Sequence, residues 1–533
     1  MKKIVLVFLV FFAFAMHAQV TQVAGNQSGE WSGEIHVTND VVVPAGETLT
    51  VEAGTTVIVD GYFEILVRGS IYANGDENAR ISFTVADTTG YSDYDNVSLG
   101  AWKGFTFRES EVVRLSYCDF SYGKTKVDSD GGAARFYDAA DVEISHCTFH
   151  HNTMRKRGGA IYAENSVFNI HDCEVYDNFG TGYEGSYTWG VGFQFLKCDI
   201  DMHDMVFHDN IGPSAYGGGM NVDSCNLTLR NAVFHHNRTV CAGGLGIQRC
   251  KDYTVKVSNM LAYKNYVMHY GGGLATADSN AELNNLTIVD NYCGGGGGAG
   301  MQTAFDANPV LNNCIFWGNH AILNIVGTDT MEYYYGSQIW LWGASCFPVF
   351  NNGLVQYGLD SINNGEYLPE GHYNDMIEVN PLFVNALTHD YRLSEGSPCV
   401  DTGVTDTTGL FIPATDLAGG ARIVNNRIDM GCYEFGNSNV DEVAFVGNIA
   451  YVFPNPLNDN SLCVFSLGKK SDVTIRLVSL DGKEVYKEDC GTLDVGVNRI
   501  SLEAMLKNLE KKDTMYLLII DTQEDKFVNK IIY

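Results

Sequence analysis

Histidine and acidic side chains recur at one position of this chain, immediately before a regularly spaced asparagine. In chain order the residues at this position are His151, Asp177, Asp209, His236, Lys264, Asp290 and Gly318. Imidazole and carboxylate groups aligned on one ridge could bind a metal ion or shuttle protons. The alternative is that the ridge is a solvated turn without chemistry.

A second group of carboxylates lies in the stretch CDIDMHDMVFHDN. Asp199 and Asp201 flank Ile200, and in a strand both would point outward beside the buried isoleucine, where they could share a Ca²⁺ ion. No glycine-bearing calcium loop accompanies them, so an ordinary outward strand face is the alternative. Together with the acids of the ridge, they give four candidate catalytic residues, Asp177, Asp199, Asp201 and Asp209.

Neither of the usual arrangements for polysaccharide cleavage is complete in the sequence. Lyases need a basic proton acceptor, commonly with Ca²⁺, and hydrolases need two paired carboxylates. No group of cysteines, or of cysteines and histidines, has the spacing of a structural zinc site. We therefore expect neither a metal site nor a cofactor, with Ca²⁺ as the one exception to consider.

Aromatic side chains concentrate in the segments that follow the asparagines. The candidate ligand-binding residues are Tyr183, Tyr187, Trp189, Tyr216, Tyr266, His269 and Tyr270. These segments are expected to emerge as loops on one side, where aromatic rings could form a platform for the apolar C–H faces of sugars. The alternative is that the rings only pack the loops against one another.

The asparagines themselves mark an internal repeat of about 27 residues. They are Asn152, Asn178, Asn210, Asn237, Asn265, Asn291 and Asn319. Apolar residues stand three and five positions before each one, as at Phe149 and Cys147, and again before a polar turn, as at Ile144 and Val142. The spacing of two within each pair predicts strands that point alternate side chains into a core.

Short strands of this kind cannot bury their inner faces alone, and coiling them rung upon rung predicts a right-handed parallel β-helix. Equivalent side chains then stack at about 4.8 Å, and each buried Ile or Phe contributes about 1.5–3 kcal/mol. Stacked asparagine amides can hydrogen-bond to one another as a ladder, and glycine pairs such as Gly158-Gly159 supply the turns. A leucine-rich repeat and a propeller are excluded, because the leucine framework and the four-stranded blades are missing.

The bulk composition narrows the class of partners. The chain of 533 residues has 64 Asp and Glu against 34 Lys and Arg, and its net charge of -30 argues against nucleic acids and anionic membranes. Residues 1–18 have the lysines, short apolar core and small residues of a secretory signal peptide. No later segment is long and apolar enough to cross a membrane, so we expect a soluble, exported protein.

Two tetrapeptides resemble those of a known class of repeat. GGAI at Gly158 and FHHN at Phe149 and Phe234 are similar to the GGAI and FxxN motifs of polymorphic outer membrane protein repeats, and more broadly of right-handed β-helix surface proteins. The resemblance implies that residues 19–345 form a pectin lyase-like β-helix. Its relatives are adhesins, polysaccharide-active enzymes or proteins without an assigned activity.

Residues 346–435 resemble the closing segment that precedes varied anchors in secreted bacterial proteins, the choice-of-anchor type. The similar stretches are NPLFVNALTHDYRLSEGSPCVDTGV and DLAGGARIVNNRIDMGCYEF. That family usually has alanine where this chain has Cys399 and Cys432, and the two departures suggest a disulfide between them. Residues 436–450 are predicted to be a linker.

Residues 451–533 resemble the type A C-terminal sorting domain of the type IX secretion system. The PNP motif at Pro454–Pro456 and the closing lysine-apolar tail match, whereas Thr514-Met515 precede Tyr516 where that family has a glycine. The resemblance implies a small β-sandwich that engages the type IX secretion machinery. It also implies a protein secreted by, or attached to the outer surface of, a Gram-negative bacterium.

These features lead to three hypotheses about function. The first is a secreted or surface-attached β-helix protein that binds glycans or host surfaces as an adhesin does. The second is a polysaccharide lyase or glycoside hydrolase that acts on an extracellular polysaccharide. The third is a structural component of the surface layer. Release of unsaturated or reducing ends from a glycan panel separates the second hypothesis from the first.

Overall fold

The computed structural model describes residues 20–436 and 450–532. The residues left out of the first range are 94–95, 127–128, 183–186, 327–328, 333–336, 344 and 364, and those left out of the second are 454–461, 468–469, 480–482, 494–495, 508–514 and 523–525. The candidate residue Tyr183, the predicted signal peptide, most of the predicted linker and the PNP motif therefore lie outside the described residues.

The first of two compact units comprises the chain up to Pro381 together with Glu395–Gly436. It is a coil of parallel strands in which 33 strands form one continuous sheet. Equivalent positions of successive rungs pair in parallel, for example Val142 with Phe168 and Phe149 with Val175. The predicted all-β right-handed parallel β-helix is confirmed.

The rungs pass in order through three faces, named here face 1, face 2 and face 3, and between Thr153 and Glu332 also through a separate short sheet. Face 1 contains Ile65–Val67, Phe105–Arg108, Ala134–Tyr137, Ile161–Glu164, Phe193–Leu196, Met220–Asp223, Leu245–Gln248, Leu274–Ala277, Met301–Ala304, Ile339–Trp342 and Ile362–Asn363. Face 2 contains Gly29–Trp31, Thr48–Val51, Ser70–Asn74, Val113–Ser116, Val142–Ser145, Glu282–Asn284, Val310–Asn312, Val349–Asn351 and Tyr373–Asn374.

Face 3 contains Thr56–Val59, Ile81–Val85, Cys118–Ser121, Thr148–His150, Thr287–Val289, Ile315–Trp317 and Leu354–Val355. Four long strands bend from face 2 into face 3, namely Val167–Tyr176, Asp199–His208, Asn226–His235 and Val255–Tyr263. Val20–Asn26 and Glu34–Val43 likewise span face 3 and face 1 at the start of the coil. The short sheet contains Thr153–Met154, Phe179–Gly180, Thr188–Trp189, Ile211–Tyr216, Arg238–Cys241, Tyr266–Tyr270, Tyr292–Cys293, His320–Val326 and Asp329–Glu332.

The corners between faces are made by residues in the left-handed backbone region. In most rungs one such residue separates face 2 from face 3, for example Asp172, Asp204 and Asn231. A second follows face 3, and Asp177 and Asp209 occupy it in neighbouring rungs with φ of 50° and 52°. The ridge identified in the sequence is therefore a row of turns, which Asp, Asn and His tolerate better than β-branched residues do.

The predicted asparagine ladder is confirmed. From Asn152 to Asn319 each buried amide donates from Nδ2 to Oδ1 of the asparagine in the next rung, at 2.9–3.1 Å. The same Oδ1 also accepts a backbone N–H, as between Asn178 N and Asn210 at 3.2 Å. Gln338 ends the ladder by accepting from Asn319 at 2.7 Å.

Residues 395–436, the C-terminal part of the closing segment with the residue that follows it, return along the outside of the last rungs. Asn259 Nδ2 donates to Thr415 O at 2.7 Å, Asn285 Nδ2 donates to Asp429 O at 3.0 Å, and Cys432 N donates to Thr287 Oγ1 at 3.0 Å. The segment is fastened internally by a buried ion pair between Arg422 and Glu434, at 2.7 Å. It therefore covers the outer side of faces 2 and 3 over these rungs.

The predicted disulfide between Cys399 and Cys432 is not formed. Both residues are buried free thiols, and each has a different neighbour, Ser397 beside Cys399 and Thr287 beside Cys432. Burial raises the pKa of both thiols to about 12. Cys399 and Cys432, which stand where the similar family usually has alanine, therefore pack as small buried side chains, as free cysteines commonly do.

The second unit comprises Leu382–Ser394 and the residues after Gly436. One antiparallel sheet has the order Ala450–Phe453, Leu462–Leu467, Gly496–Ser501, and another has the order Glu484–Leu493, Ser471–Ser479, Met515–Asp521, Lys526–Ile532. Phe383–Asn385 pairs with Asp390–Leu393. Phe465, Leu477 and Leu518 belong to one buried cluster. These sheets agree in part with the expected sandwich.

Helices are few among the described residues. One short α-helix, Glu503–Leu506, and three 3₁₀ turns, Gly358–Ser361, Gly365–Tyr367 and Ala386–Thr388, are present. No helix in the described ranges has the length and apolar character needed to cross a membrane.

Candidate functional site

The aromatic segments expected as loops are short parallel strands. Trp189 pairs with Tyr216, Tyr216 with Cys241, and Cys241 with Tyr270, so the residues follow one another in register along the short sheet. The expectation that they share one side of the coil therefore holds for these residues, but their conformation is extended and hydrogen-bonded rather than irregular.

The rings at the end of the short sheet pack on one another. Trp189 stacks on Tyr216 with centroids 4.8 Å apart, and Tyr187 meets Tyr216 edge-on at 5.0 Å. Farther along, Tyr270 meets Trp342 of face 1 edge-on at 5.1 Å. Mutual packing, one of the two alternatives for these residues, is thus observed, yet Tyr187 and Trp342 remain 57% and 45% exposed. We name Trp189, Tyr216, Tyr270 and Trp342 the aromatic corner.

The aromatic corner contains a gap of one rung. Tyr216 and Tyr270 lie two rungs apart, which corresponds to about 10 Å. The residue between them in register is the small, buried Cys241. Two rings therefore flank a position where no large side chain stands.

Sharp glycine turns bring face 1 against this row. Gly190 and Gly217 have positive φ, and a Cβ on Gly217 would lie 2.6 Å from Cβ of Asn221. Outward-pointing Gln194 and Asn221 are buried as a result, and Asn221 Nδ2 donates to Gln194 Oε1 at 2.9 Å. At this corner the aromatic rings of the short sheet lie on one side, and the carboxamides of Gln194 and Asn221 on face 1 lie on the other.

A guanidinium lies at the N-terminal end of the corner. The backbone of Arg157 forms a parallel β-bridge with that of Trp189. Its guanidinium lies over the Tyr162 ring, 4.3 Å from the centroid, and is paired with Asp130 at 2.8 Å. Burial raises the pKa of Tyr162 above its ordinary range, so its hydroxyl stays protonated. This end of the corner is therefore polar but locally neutralised.

Two other predicted aromatic residues occupy separate positions. Tyr266 is in register with Arg238 and Tyr292, with the guanidinium 5.1 Å from the Tyr266 ring and the two tyrosines stacked at 5.2 Å. His269 is exposed, and its ring lies 6.0 Å from that of Tyr270. Of the predicted set, Trp189, Tyr216 and Tyr270 thus belong to the aromatic corner, Tyr187 and His269 lie beside it, and Tyr266 belongs to a second stacked row.

The four candidate acids fall into two pairs, at the two ends of the long strands that span faces 2 and 3. Asp199 and Asp201 both point outward, as predicted, but Asn226 donates to Asp199 at 2.6 Å and Arg230 donates to Asp201 at 2.6 Å. The guanidinium of Arg230 therefore lies where the sequence suggested a Ca²⁺ ion shared by Asp199 and Asp201. Asp177 and Asp209 lie after face 3, in equivalent turns of neighbouring rungs.

A row of five rings on the outside of face 3 was missed in the sequence. His150, Tyr176, His208, His235 and Tyr263 stack in register with centroids 4.8–5.1 Å apart. We name these residues the histidine row. The signal was present in the repeated FHHN and FHDN stretches, because the position after each phenylalanine must point outward.

His208 is the most strongly constrained member of the histidine row. Its Nδ1 lies 2.7 Å from Asp209 Oδ2 and its Nε2 lies 3.0 Å from Glu174 Oε1. Burial alone would lower the pKa of His208, but the hydrogen bonds to Asp209 and Glu174 outweigh it and raise the pKa to about 9. Two carboxylates thus hold one imidazole in a fixed orientation.

Comparison with known proteins supports the fold without specifying an activity. Residues 69–255 match the family described as right handed beta helix region. A search of curated proteins gives no match. The matched range contains Trp189, Tyr216 and all the imidazoles of the histidine row, whereas Tyr270 and Trp342 lie beyond it.

Proposed function

We propose that this right-handed β-helix binds extended glycan chains along the aromatic corner. The observation that carries the proposal is the row of rings in register along the short sheet, Trp189, Tyr216 and, beyond the intervening Cys241, Tyr270, with Trp342 presenting an exposed ring beside it. Sugar rings carry apolar C–H faces that pack on aromatic rings. A coil that repeats its rings along one line offers a repeating polymer several equivalent contacts.

The preorganisation of the rings favours binding. Trp189 is held by Tyr216, and Tyr270 is held by Trp342, so little side-chain entropy remains to be lost when a ligand arrives. The small side chain of Cys241, in register between Tyr216 and Tyr270, leaves these two rings without a third ring between them.

The charge of the protein favours a neutral glycan. The net charge of -30 repels polyanionic polysaccharides, and Arg157 at the corner is already paired with Asp130. We therefore propose a neutral polysaccharide as the ligand class, and a surface-attached or secreted, adhesin-like role for the protein.

The test is binding of the purified chain to a panel of neutral and acidic polysaccharides, followed by Trp189→Ala and Trp342→Ala. Removing one ring of a stacking row is expected to weaken binding about tenfold, because a ring contributes on the order of 1 kcal/mol beyond its buried area. Tyr253→Ala is the matched control, since Tyr253 is 39% exposed and lies outside the aromatic corner.

Three outcomes would contradict the proposal. Equal loss in Tyr253→Ala would point to a general effect of surface aromatics. Release of unsaturated or reducing ends from any polysaccharide would favour the lyase or hydrolase hypothesis. Absence of glycan binding together with self-association would favour a structural surface-layer role.

We further propose that the protein is exported and that residues 451–533 address it to the type IX secretion machinery. The support is the sequence resemblance described above, together with the antiparallel β-structure of the second unit. Removal of residues 451–533 is expected to leave the rest of the chain inside the cell envelope, as measured by fractionation.

A further inference from the structure

We propose that His208, Asp209 and His235 form a binding site for a divalent transition-metal ion of the zinc class. One nitrogen of each imidazole and a carboxylate oxygen of Asp209 lie within 4.8 Å of one another. His208 and His235 occupy equivalent positions in neighbouring rungs, and their rings stack at 4.8 Å with an angle of 11°. The β-helix thus places two parallel imidazoles beside one carboxylate.

The ligand atoms are held in place before any ion arrives. Tyr176 stacks on His208 at 5.1 Å and Tyr263 stacks on His235 at 4.9 Å, so each imidazole lies between two rings. Glu174 accepts a hydrogen bond from His208 Nε2 at 3.0 Å. This leaves Nδ1 on the side of Asp209, the arrangement in which a carboxylate orients a metal-ligating histidine through its other nitrogen.

A further histidine adjoins the three ligands, and the group is accessible. His236 follows His235 as Asp209 follows His208, and the Nδ1 atoms of His235 and His236 lie 2.9 Å apart. Asp209 is 51% exposed and His208 is 18% exposed on its side chain, so an ion can reach the group from solvent. On binding, the metal would replace the proton shared by His208 and Asp209, which would leave to solvent.

The ligand set selects the class of metal. Two imidazoles and one carboxylate suit zinc, copper or nickel, whereas Ca²⁺ requires six to eight oxygen ligands. A second group, His146, His171 and Asp172, also brings metal-binding atoms together. There, however, His146 and His171 meet edge-on at 5.9 Å and the distance from His146 to Asp172 is 3.9 Å. His208, Asp209 and His235 are the stronger candidate, because Glu174 orients His208 through its other ring nitrogen.

The experiment is titration of the full-length, chelator-treated protein with Zn²⁺ by calorimetry, and with Co²⁺ by visible absorption. We expect one tight site in the wild-type protein and in the variant His146→Ala/His171→Ala. In His208→Ala/His235→Ala this site should be lost, and Glu174→Gln should weaken it about tenfold, as is usual for an orienting carboxylate. The Co²⁺ spectrum should show tetrahedral coordination.

His372→Ala is the matched control, because His372 is a half-buried histidine outside both groups. Asp209→Asn provides a milder second variant at an exposed position, and circular dichroism reports whether each variant is folded. The proposal is overturned if the wild-type protein binds no Zn²⁺, if His208→Ala/His235→Ala and Asp209→Asn bind like the wild type, or if binding disappears in His146→Ala/His171→Ala.

Discussion

Glu64 and Arg135 form an ion pair on the outside of face 1. Arg135 donates to Glu64 Oε1 at 2.6 Å, and its other nitrogens donate to Thr106 Oγ1, Lys103 O and Asp130 O. The side chains are 11% and 28% exposed for Arg135 and Glu64 respectively. Burial alone would raise the pKa of the Glu64 carboxyl, but Arg135 and the Thr106 hydroxyl outweigh it and lower the pKa.

Glu64→Gln is expected to reduce the free energy of unfolding by about 1–2 kcal/mol at pH 7, because it leaves the Arg135 charge partly buried without a partner. A carboxyl whose folded-state pKa is lowered contributes stability above its unfolded pKa and loses it as the pH falls through the folded pKa. The difference between variant and wild type should therefore shrink as the pH falls below the ordinary glutamate pKa of about 4.3. Urea unfolding at several pH values measures it.

The exposed carboxylate of Glu77 provides the control for this measurement. Glu77→Gln should leave the free energy of unfolding within about 0.5 kcal/mol of the wild type throughout. A Glu64→Gln deficit that persists unchanged at low pH would show that lost packing, rather than the ion pair, is responsible.

Among the structural elements, the asparagine ladder differs from an ordinary surface hydrogen-bond network. Asn237 donates to Asn265 Oδ1 and to Phe207 O, and it accepts from both the backbone and the side chain of Asn210. All of these groups are buried. Every donor and acceptor of the amide is thus used, and water cannot replace a missing partner easily.

Asn237→Ala is expected to lower the free energy of unfolding by about 2–4 kcal/mol, because it leaves buried donors of Asn210 without an acceptor. Urea unfolding followed by circular dichroism measures the effect. Asn169→Ala, at an exposed position of the strand Val167–Tyr176, should change stability by less than about 0.5 kcal/mol. Equal effects in the two variants would remove the ladder as a special source of stability.

The sequence predicts the coil better than it predicts the site. The period-two columns and the recurring asparagines sufficed for the rungs, the register and the ladder, since each depends on local spacing. The short sheet was missed because strands as brief as Thr153–Met154 show no alternation. The partner of Asp201 could not be deduced from the sequence. Arg230 lies on a neighbouring strand, and its contact with Asp201 depends on the rotamer of the arginine side chain.

At the scale of the whole molecule, the cysteines serve as core side chains. All fourteen are free, and thirteen of them are buried. Several stand in register, so that the backbone N–H of Cys118 points to the sulfur of Cys147, and that of Cys147 to Cys173, each at 3.4 Å. The number of cysteines in the sequence therefore says little about cross-linking in this fold.

Thiol titration tests this assignment. In denaturant without reductant, all fourteen cysteines should react, because none is paired. The folded protein should react slowly, since the thiolate forms only with difficulty in buried surroundings. A count of twelve, with Cys399 and Cys432 recovered in one linked peptide, would restore the disulfide that the structure does not contain.

The closing segment also gives the molecule an order of assembly. Bonds between neighbouring rungs join residues 26–32 apart, as from Asn152 to Asn178 and from Asn178 to Asn210. The bonds that join Asn285 and Thr287 to the closing segment span 144 and 145 residues. Contacts near in sequence can form while the chain is still being synthesised, and distant ones must wait. Each rung can thus fold on the rung before it, and the outer strip beside Asn259 and Asn285 stays open to solvent until residue 436 has emerged.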